Sequence, residues 1–165
     1  MDAKVSRLGS SFLLTEFRAD KGDIRNLEFP EDTTRDRMTH LSIYLEGRFV
    51  VRDVNGNVVN YRKPGDFSHE MPDVKAGVYT LEALEDGSRS VCIWPRVEGV
   101  IIKVHPIRAR AGQSFPILPG RFFYLAKGVA EIGGQDRPER FSALVESKGV
   151  VGTAKTDVIA ASVWV

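Results

Sequence analysis

Residues 38–66 constrain the fold of this chain more than any other stretch, because short apolar segments alternate there with strong turn signals. Residues 40–45 have the two-residue period of a strand, with Leu and Ile on one face and the other face formed by His40, Ser42 and Tyr44. Asn55-Gly56 predicts a hairpin with a type I′ turn, and Pro64-Gly65-Asp66 predicts the next break. The stretch therefore predicts antiparallel strands, with His40 on the face that a small barrel would turn inward.

The rest of the chain continues in the same manner. About ten short strands, turn signals roughly every 8–12 residues and no long amphipathic helix favour an all-β barrel or sandwich. Residues 1–11 are polar and predict an N-terminal arm or a frayed start. Residues 12–17 are compatible with a strand or one helical turn, and residues 141–145 leave the same choice open. The apolar run at 99–104 predicts a strand that is buried on both faces or lies between two half-barrels.

Three segments recur in the same order in the second part of the chain. Residues 17–22 match 107–112, residues 44–47 match 124–128, and residues 90–94 match 160–164. The offsets fall from 90 to 80 to 70 residues, which indicates longer loops in the first copy. We therefore expect two related halves packed together, at 12–97 and 105–165, joined by a connecting strand at 98–104.

Composition excludes several classes of function. The 23 Lys and Arg residues nearly balance 22 Asp and Glu residues, so the net charge of +1 provides no field that would recruit nucleic acid or an anionic membrane. Cys92 is the only cysteine, which excludes an internal disulfide and favours a reducing compartment. Its apolar strand context indicates a small buried side chain rather than a reactive thiol. We expect a soluble, cytoplasmic protein.

The turns and strands of the first half resemble the cupin superfamily of jelly-roll barrels. Tyr44-Leu45-Glu46-Gly47 is similar to the end of the first cupin motif, and Pro64-Gly65-Asp66 resembles the turn that often precedes the second. Residues 81–87 look like the strand and turn that close a cupin barrel. The resemblance implies cupin-like jelly-roll barrels, and the repeat implies a compact bicupin with degenerate metal motifs.

The same resemblance implies a metal site that this sequence does not complete. Cupins often hold a divalent transition metal with three His and one Glu, and His40 stands where the Glu is usual. Of the positions expected for the first two His ligands, only Asp36 carries a ligand. The last ligand position falls on His69 or near Tyr79, depending on register. In the second half Gly120 and Arg121 stand where the resemblance implies metal ligands. A metal site, if present, therefore consists of Asp36, His40 and His69 of the first half. We expect no cofactor.

Two functional hypotheses follow. The first is a non-enzymatic cupin-like protein that serves as a structural or assembly subunit, or binds a small ligand in the barrel through His40, Tyr44, His69 and Tyr79. Self-association or membership of a protein assembly fits this hypothesis, because sheet edges pair readily. The alternative is a metal-dependent enzyme of the oxygenase or isomerase type that uses the first half only. His40 also has a purely structural explanation, in which it is an interior histidine that forms a hydrogen bond with Tyr44 or Ser42 on the same face of the strand.

Overall fold

Strands make up almost all of the regular structure in the part of the chain that the computed structural model describes, residues 1–29, 38–71, 75–146 and 148–165. They are β1 (Asp2–Leu8), β2 (Phe12–Ala19), β3 (Ile24–Phe29), β4 (Leu41–Glu46), β5 (Phe49–Arg52), β6 (Val58–Arg62), β7 (Gly77–Ala83), β8 (Ser88–Pro95), β9 (Lys103–Ala109), β10 (Ser114–Ile117), β11 (Phe122–Lys127), β12 (Ala130–Ile132), β13 (Gln135–Arg137), β14 (Ser142–Leu144), β15 (Val150–Ala154) and β16 (Val158–Trp164). A 3-10 turn, Ser68–Glu70, lies between β6 and β7. The described residues contain no helix long and apolar enough to cross a membrane.

The strands form four antiparallel sheets in four layers. Sheet I has the order β1-β2-β8-β4, sheet II β3-β7-β5-β6, sheet III β9-β16-β11-β14 and sheet IV β10-β15-β12-β13. One apolar cluster lies between sheets I and II, a second between III and IV, and a third joins sheet I to sheet III. Each pair of sheets is one half of the molecule, and the two halves pack through their inner sheets.

Strand β4 shows how the sequence encodes this layering. Leu41, Ile43 and Leu45 are buried in the cluster between the halves. Tyr44, on the opposite face of the strand, belongs to the core of the first half. The predicted two-faced alternation is therefore correct, and both faces are buried because a second half covers the outer one. Burial of each large aliphatic side chain contributes about 1.5–3 kcal/mol to folding.

The two halves repeat the same strand pairing. In the first half Ser90 pairs with a residue on each neighbouring strand, Phe17 on one side and Tyr44 on the other. In the second half Ala160 pairs in the same way with Ile107 and Leu125. Both ladders then shift register, between Tyr44 and Glu46 in β4 and between Leu125 and Lys127 in β11. Tyr44 therefore corresponds to Leu125 and not to Tyr124, although Gly47 and Gly128 correspond as the sequence suggested.

The Asn55-Gly56 hairpin is present, but the predicted turn type is wrong. Gly56 has φ +80°, whereas Asn55 is absent from the positive-φ residues of the described chain. The Gly56 N–H donates to the Asp53 carbonyl at 3.0 Å, and the Asp53 carboxylate accepts the N–H groups of Asn55 and Asn57, each at 2.9 Å. This side-chain capping of the backbone favours a turn with positive φ only at its glycine.

Two segments differ from the prediction at the level of secondary structure. Residues 2–8 do not fray: β1 pairs with β2 along its full length, and its polar residues are exposed because it forms the edge of sheet I. The apolar run at 99–104 is not a continuous strand, since β9 begins only at Lys103 and Ile102 makes an isolated bridge with Met38. Residues 12–17 and 142–144 are strands. The proposed boundaries between the halves stay a prediction.

Candidate functional site

Polar side chains line the interior of the first half, which is the space between sheets I and II. Ser42 and Tyr44 face it from β4, and the buried Ser90 and Cys92 face it from the neighbouring β8. The Ser42 hydroxyl and the Cys92 sulfur lie 3.1 Å apart, a distance at which either atom can donate. The prediction that Cys92 is buried is confirmed, but its environment is more polar than the apolar sequence around it indicated.

Arg25 enters the same interior from the opposite sheet. On β3 it alternates inward with Leu27 and Phe29, both of which belong to the core. Its Nη1 approaches the Cys92 sulfur at 3.7 Å, and its guanidinium carbon lies 3.8 Å from the centre of the Phe17 ring. Nε and Nη2 are buried, and no residue of the described ranges accepts a hydrogen bond from them. A guanidinium with buried nitrogen atoms and no carboxylate partner among the described residues is an unusual feature of a protein interior.

Tyr44 is fully buried between two positive groups. Burial raises the pKa of its phenol, while the charges of Arg62 and Arg25 and a hydrogen bond from Arg62 oppose the rise. The Arg62 guanidinium carbon lies 5.8 Å from the centre of the Tyr44 ring, and Arg62 itself is only 4% exposed. The interior of the first half therefore combines a neutral phenol with two arginines that reach it from sheet II.

His40 lies at the edge of this interior, where its ring is stacked on both sides. Its centroid is 4.5 Å from that of Trp94 and 5.3 Å from that of Phe29, with interplanar angles of 22° and 10°. Burial, assisted by the charge of Arg25, lowers the pKa of His40 to about 4. The imidazole is therefore neutral at neutral pH. Within the described residues no hydrogen bond joins His40 to Tyr44 or Ser42, so that structural interpretation of His40 is wrong. Aromatic stacking on Trp94 and Phe29 holds the ring instead.

The remaining predicted site residues are distributed between two places. Tyr79 faces the first-half interior from β7, with its ring 5.8 Å from that of Phe29. His69 lies in the 3-10 turn and lines a separate hollow of about 240 Å³ together with Leu41, Ile102 and Trp164. Asp36 lies outside the described residues. The structure thus brings His40, Tyr44 and Tyr79 to one interior and assigns His69 to a groove between the halves.

The described residues of this interior do not fit a divalent metal ion. No group of three His, Cys, Asp or Glu side chains with the spacing of a metal site occurs among them. His40 has aromatic rings on both faces and the positive charge of Arg25 nearby, which disfavours a second cation. We therefore derive no chemistry through a metal at this position.

The second half keeps one contact of the first and replaces most of its interior. Arg121 corresponds in register to His40, and Trp164 corresponds to Trp94. The Arg121 guanidinium carbon lies 4.2 Å from the centre of the Trp164 ring, in the same way that the His40 ring stacks on Trp94. The register equivalents of Ser42 and Arg25 are apolar, namely Phe123 and Phe115. The first half therefore has the more polar interior, although the second half keeps a buried Ser162 at the position of Cys92.

Sequence reasoning missed Arg25 and Arg62. A signal for Arg25 was present, because it has the same parity as Leu27 and Phe29 and so shares their inward face. Residues 24–26 were not assigned to a strand from sequence, so this parity was not used. Arg62 ends its strand directly after the exposed Tyr61, and no local pattern distinguishes it from a solvated arginine.

Comparison with solved structures identifies the architecture. The cupin 2 conserved barrel domain protein from Leptotrichia buccalis is similar with a TM-score of 0.53 and 13% identity, covering 99% of this chain and 88% of that one. A variant of oxalate decarboxylase OxdC from Bacillus subtilis is similar with a TM-score of 0.60 and 9% identity, covering 98% and 72% of the two chains. The fold is that of the cupins. The bacterial pirin YhhW from Escherichia coli, solved in complex with nickel(II), matches this cupin fold with a TM-score of 0.54 and 13% identity over 92% of this chain and 80% of that one.

These likenesses confirm the predicted all-β cupin jelly roll, and the four sheets fit two related halves packed together. No family model matches the chain, and no curated protein matches it by sequence. At 9–13% identity the similar structures describe a shared fold, and activity must be argued from the residues of this chain.

Proposed function

We propose that this protein is a non-enzymatic, ligand-binding cupin-fold protein whose first half binds a small carboxylate anion. The observation that carries the proposal is Arg25, whose buried Nε and Nη2 have no hydrogen-bond partner within the described residues. A carboxylate would accept two parallel hydrogen bonds from those two nitrogen atoms, the arrangement for which the guanidinium is best suited. The ligand would thereby place a negative charge beside Arg25, which has no ion-pair partner within the described residues.

The surrounding residues support an anion rather than a neutral ligand. The charges of Arg25 and Arg62 both act on Tyr44, and no ion pair to Arg25 occurs within the described residues. Tyr44 has a neutral phenol that can donate to an oxygen atom, and neutral His40 closes one side of the space. An anion bound in a low-dielectric interior gains more from these groups than it would in water.

The binding test uses a series of small carboxylates of increasing length. Wild-type protein is mixed with acetate, oxalate, malonate and succinate, and binding is measured by the shift in melting temperature and by calorimetry. We expect at least one carboxylate to stabilise the protein, while the matched amide does not. Arg25→Met should abolish the effect and Arg25→Lys should retain only part of it, since lysine cannot bind bidentately.

The control is Arg48→Met, which removes an arginine that is paired with Glu85 on the surface. It should leave carboxylate binding unchanged. Binding that survives Arg25→Met, or that is lost equally in Arg48→Met, would contradict the proposal.

The described residues do not favour the metal-dependent alternative, because His40 lies between two aromatic rings and near the charge of Arg25. This alternative requires Asp36 and His69 to complete the site. Elemental analysis of purified protein decides between the two functions. A stoichiometric transition metal that is lost in His40→Ala would favour the metal-dependent enzyme. Metal-free protein would exclude the enzyme and be consistent with carboxylate binding.

An assembly role is favoured by the edge of sheet I. Six of the seven residues of β1 are exposed, and Val5 is 64% exposed on this edge. Open edges pair with other strands, so we propose that the protein self-associates through β1. Light scattering should show an oligomer that Val5→Lys weakens, and a strict monomer at high concentration would contradict self-association.

A further inference from the structure

The second half contains an open pocket that the proposed anion site does not include. Its volume is about 400 Å³, within the range of small-molecule sites. The wall consists of side chains from the core between sheets III and IV, among them Ile117, Phe123, Ile132 and Val150. The pocket is therefore the mouth of the second barrel and not a crevice between surface loops.

The size of this pocket follows from the differences between the halves. Val150 occupies the register position of Tyr79, so an aliphatic side chain replaces a phenol at the barrel mouth. Phe141 occupies the position of Asp66: the N–H of Leu125 donates to the Phe141 carbonyl at 2.9 Å, just as the N–H of Tyr44 donates to the Asp66 carbonyl at 3.0 Å. The loss of the phenol opens the space, and the phenyl ring of Phe141 adds an aromatic wall to it.

The chemistry of the wall selects an uncharged ligand. The positions that carry Arg25 and Ser42 in the first half carry Phe115 and Phe123 in the second. The charged residues that line the pocket are Glu146 and Lys148, both exposed and opposite in sign. They provide no net charge for an ion. The apolar part of the wall favours an apolar ligand, because burial of apolar surface against it is favourable.

We propose that the second barrel binds a neutral, apolar small molecule, with an aromatic or aliphatic body that packs against Phe123 and Phe141. The ligand gains free energy by leaving water, and it fills space that the protein side chains leave open. This site shares no residue with the carboxylate site, so each proposal can fail without the other.

The test uses N-phenyl-naphthylamine, a neutral probe whose fluorescence rises in apolar surroundings. Wild-type protein should bind the probe saturably at one site. Ala143→Phe places a ring inside the pocket and should weaken binding at least tenfold. Ser142→Phe adds the same ring at an exposed position of the same strand and should bind like wild type. Arg25→Met should also bind like wild type.

Methyl NMR of the wild-type protein provides a second readout that needs no pocket variant. The probe should shift the methyl signals of Ile117 and Ile132, which line the pocket, and leave those of Ile43, buried between the halves, unchanged. The proposal is overturned if wild-type protein shows no saturable binding, if Ala143→Phe folds and binds normally, or if the shifts appear at Ile43 instead.

Discussion

Arg140 has φ +73° and is the only residue other than glycine with positive φ in the described chain. It occupies the position that Gly65 holds in the first half: the N–H of Gly65 donates to the Tyr44 carbonyl at 2.9 Å, and the N–H of Arg140 donates to the Leu125 carbonyl at 2.8 Å. The same left-handed turn is thus built once with glycine and once with arginine. For a residue with a Cβ atom this conformation costs about 1–2 kcal/mol.

The strain can be measured by comparing Arg140→Gly with Arg140→Ala. Both variants lose the bond from Arg140 Nε to the Glu16 carboxylate, at 2.6 Å, so the comparison cancels it. We expect Arg140→Gly to have a free energy of unfolding about 1 kcal/mol higher than that of Arg140→Ala. In thermal melts of a chain of this size the difference corresponds to about 2–4 °C. Urea titrations with equal slopes provide the primary measurement.

Gly65→Ala is the matched experiment in the first half. A Cβ atom at Gly65 would come no closer than 3.9 Å to the Arg108 side chain, so the substitution tests backbone conformation without a steric clash. It should lower the free energy of unfolding by about 1–2 kcal/mol. Equal stabilities of Arg140→Gly and Arg140→Ala, or a neutral Gly65→Ala, would refute the assignment of strain to this turn.

Two further predictions concern His40 and the glycine turn after β4. Because the folded-state pKa of His40 is about 4, below its ordinary value of 6.5, the unfolded chain takes up the proton first as the pH falls. The free energy of unfolding should therefore decrease by up to about 3 kcal/mol as the pH is lowered from about 6.5 to about 4. Urea titrations should show a smaller decrease for His40→Phe than for the wild-type protein. Identical pH profiles of the two proteins would contradict this reasoning. In the same titrations Gly47→Ala should lower the free energy of unfolding more than Gly56→Ala does. Both glycines have positive φ, but only at Gly47 would a Cβ atom overlap another residue, Ser88. Equal decreases in the free energy of unfolding would show that backbone conformation alone matters.

The features predicted correctly from sequence are those that local pattern controls. Alternation in residues 41–45 fixed the two faces of β4, and glycine positions fixed the turns around it. The one-residue error in matching Tyr44 to Tyr124 arose from aligning two tyrosines, whereas strand pairing makes Leu125 the equivalent of Tyr44 and both strands shift register directly after these residues. Local pattern therefore predicts strands well and equivalence between strands less well.

The candidate site was less predictable because long-range packing forms it. Arg25 and Cys92 are 67 positions apart and meet only when sheets I and II face one another. His69 was grouped with His40 because both are histidines near predicted cupin motifs, but the 3-10 turn directs His69 to the groove between the halves. Composition reveals which ligands a chain possesses, and only the fold determines which of them share a space.

Comparison of the two halves explains why fold and function separate in this chain. Gly65 and Arg140 make the same backbone hydrogen bond at corresponding positions, and Arg140 adopts the left-handed conformation of Gly65. These features use atoms that nearly every residue has, so they survive changes of side chain. The interior does not: Arg25 in one barrel corresponds to Phe115 in the other. One backbone design thus supports two interiors of different polarity, and for this reason the ligand of each barrel has to be inferred from its own side chains.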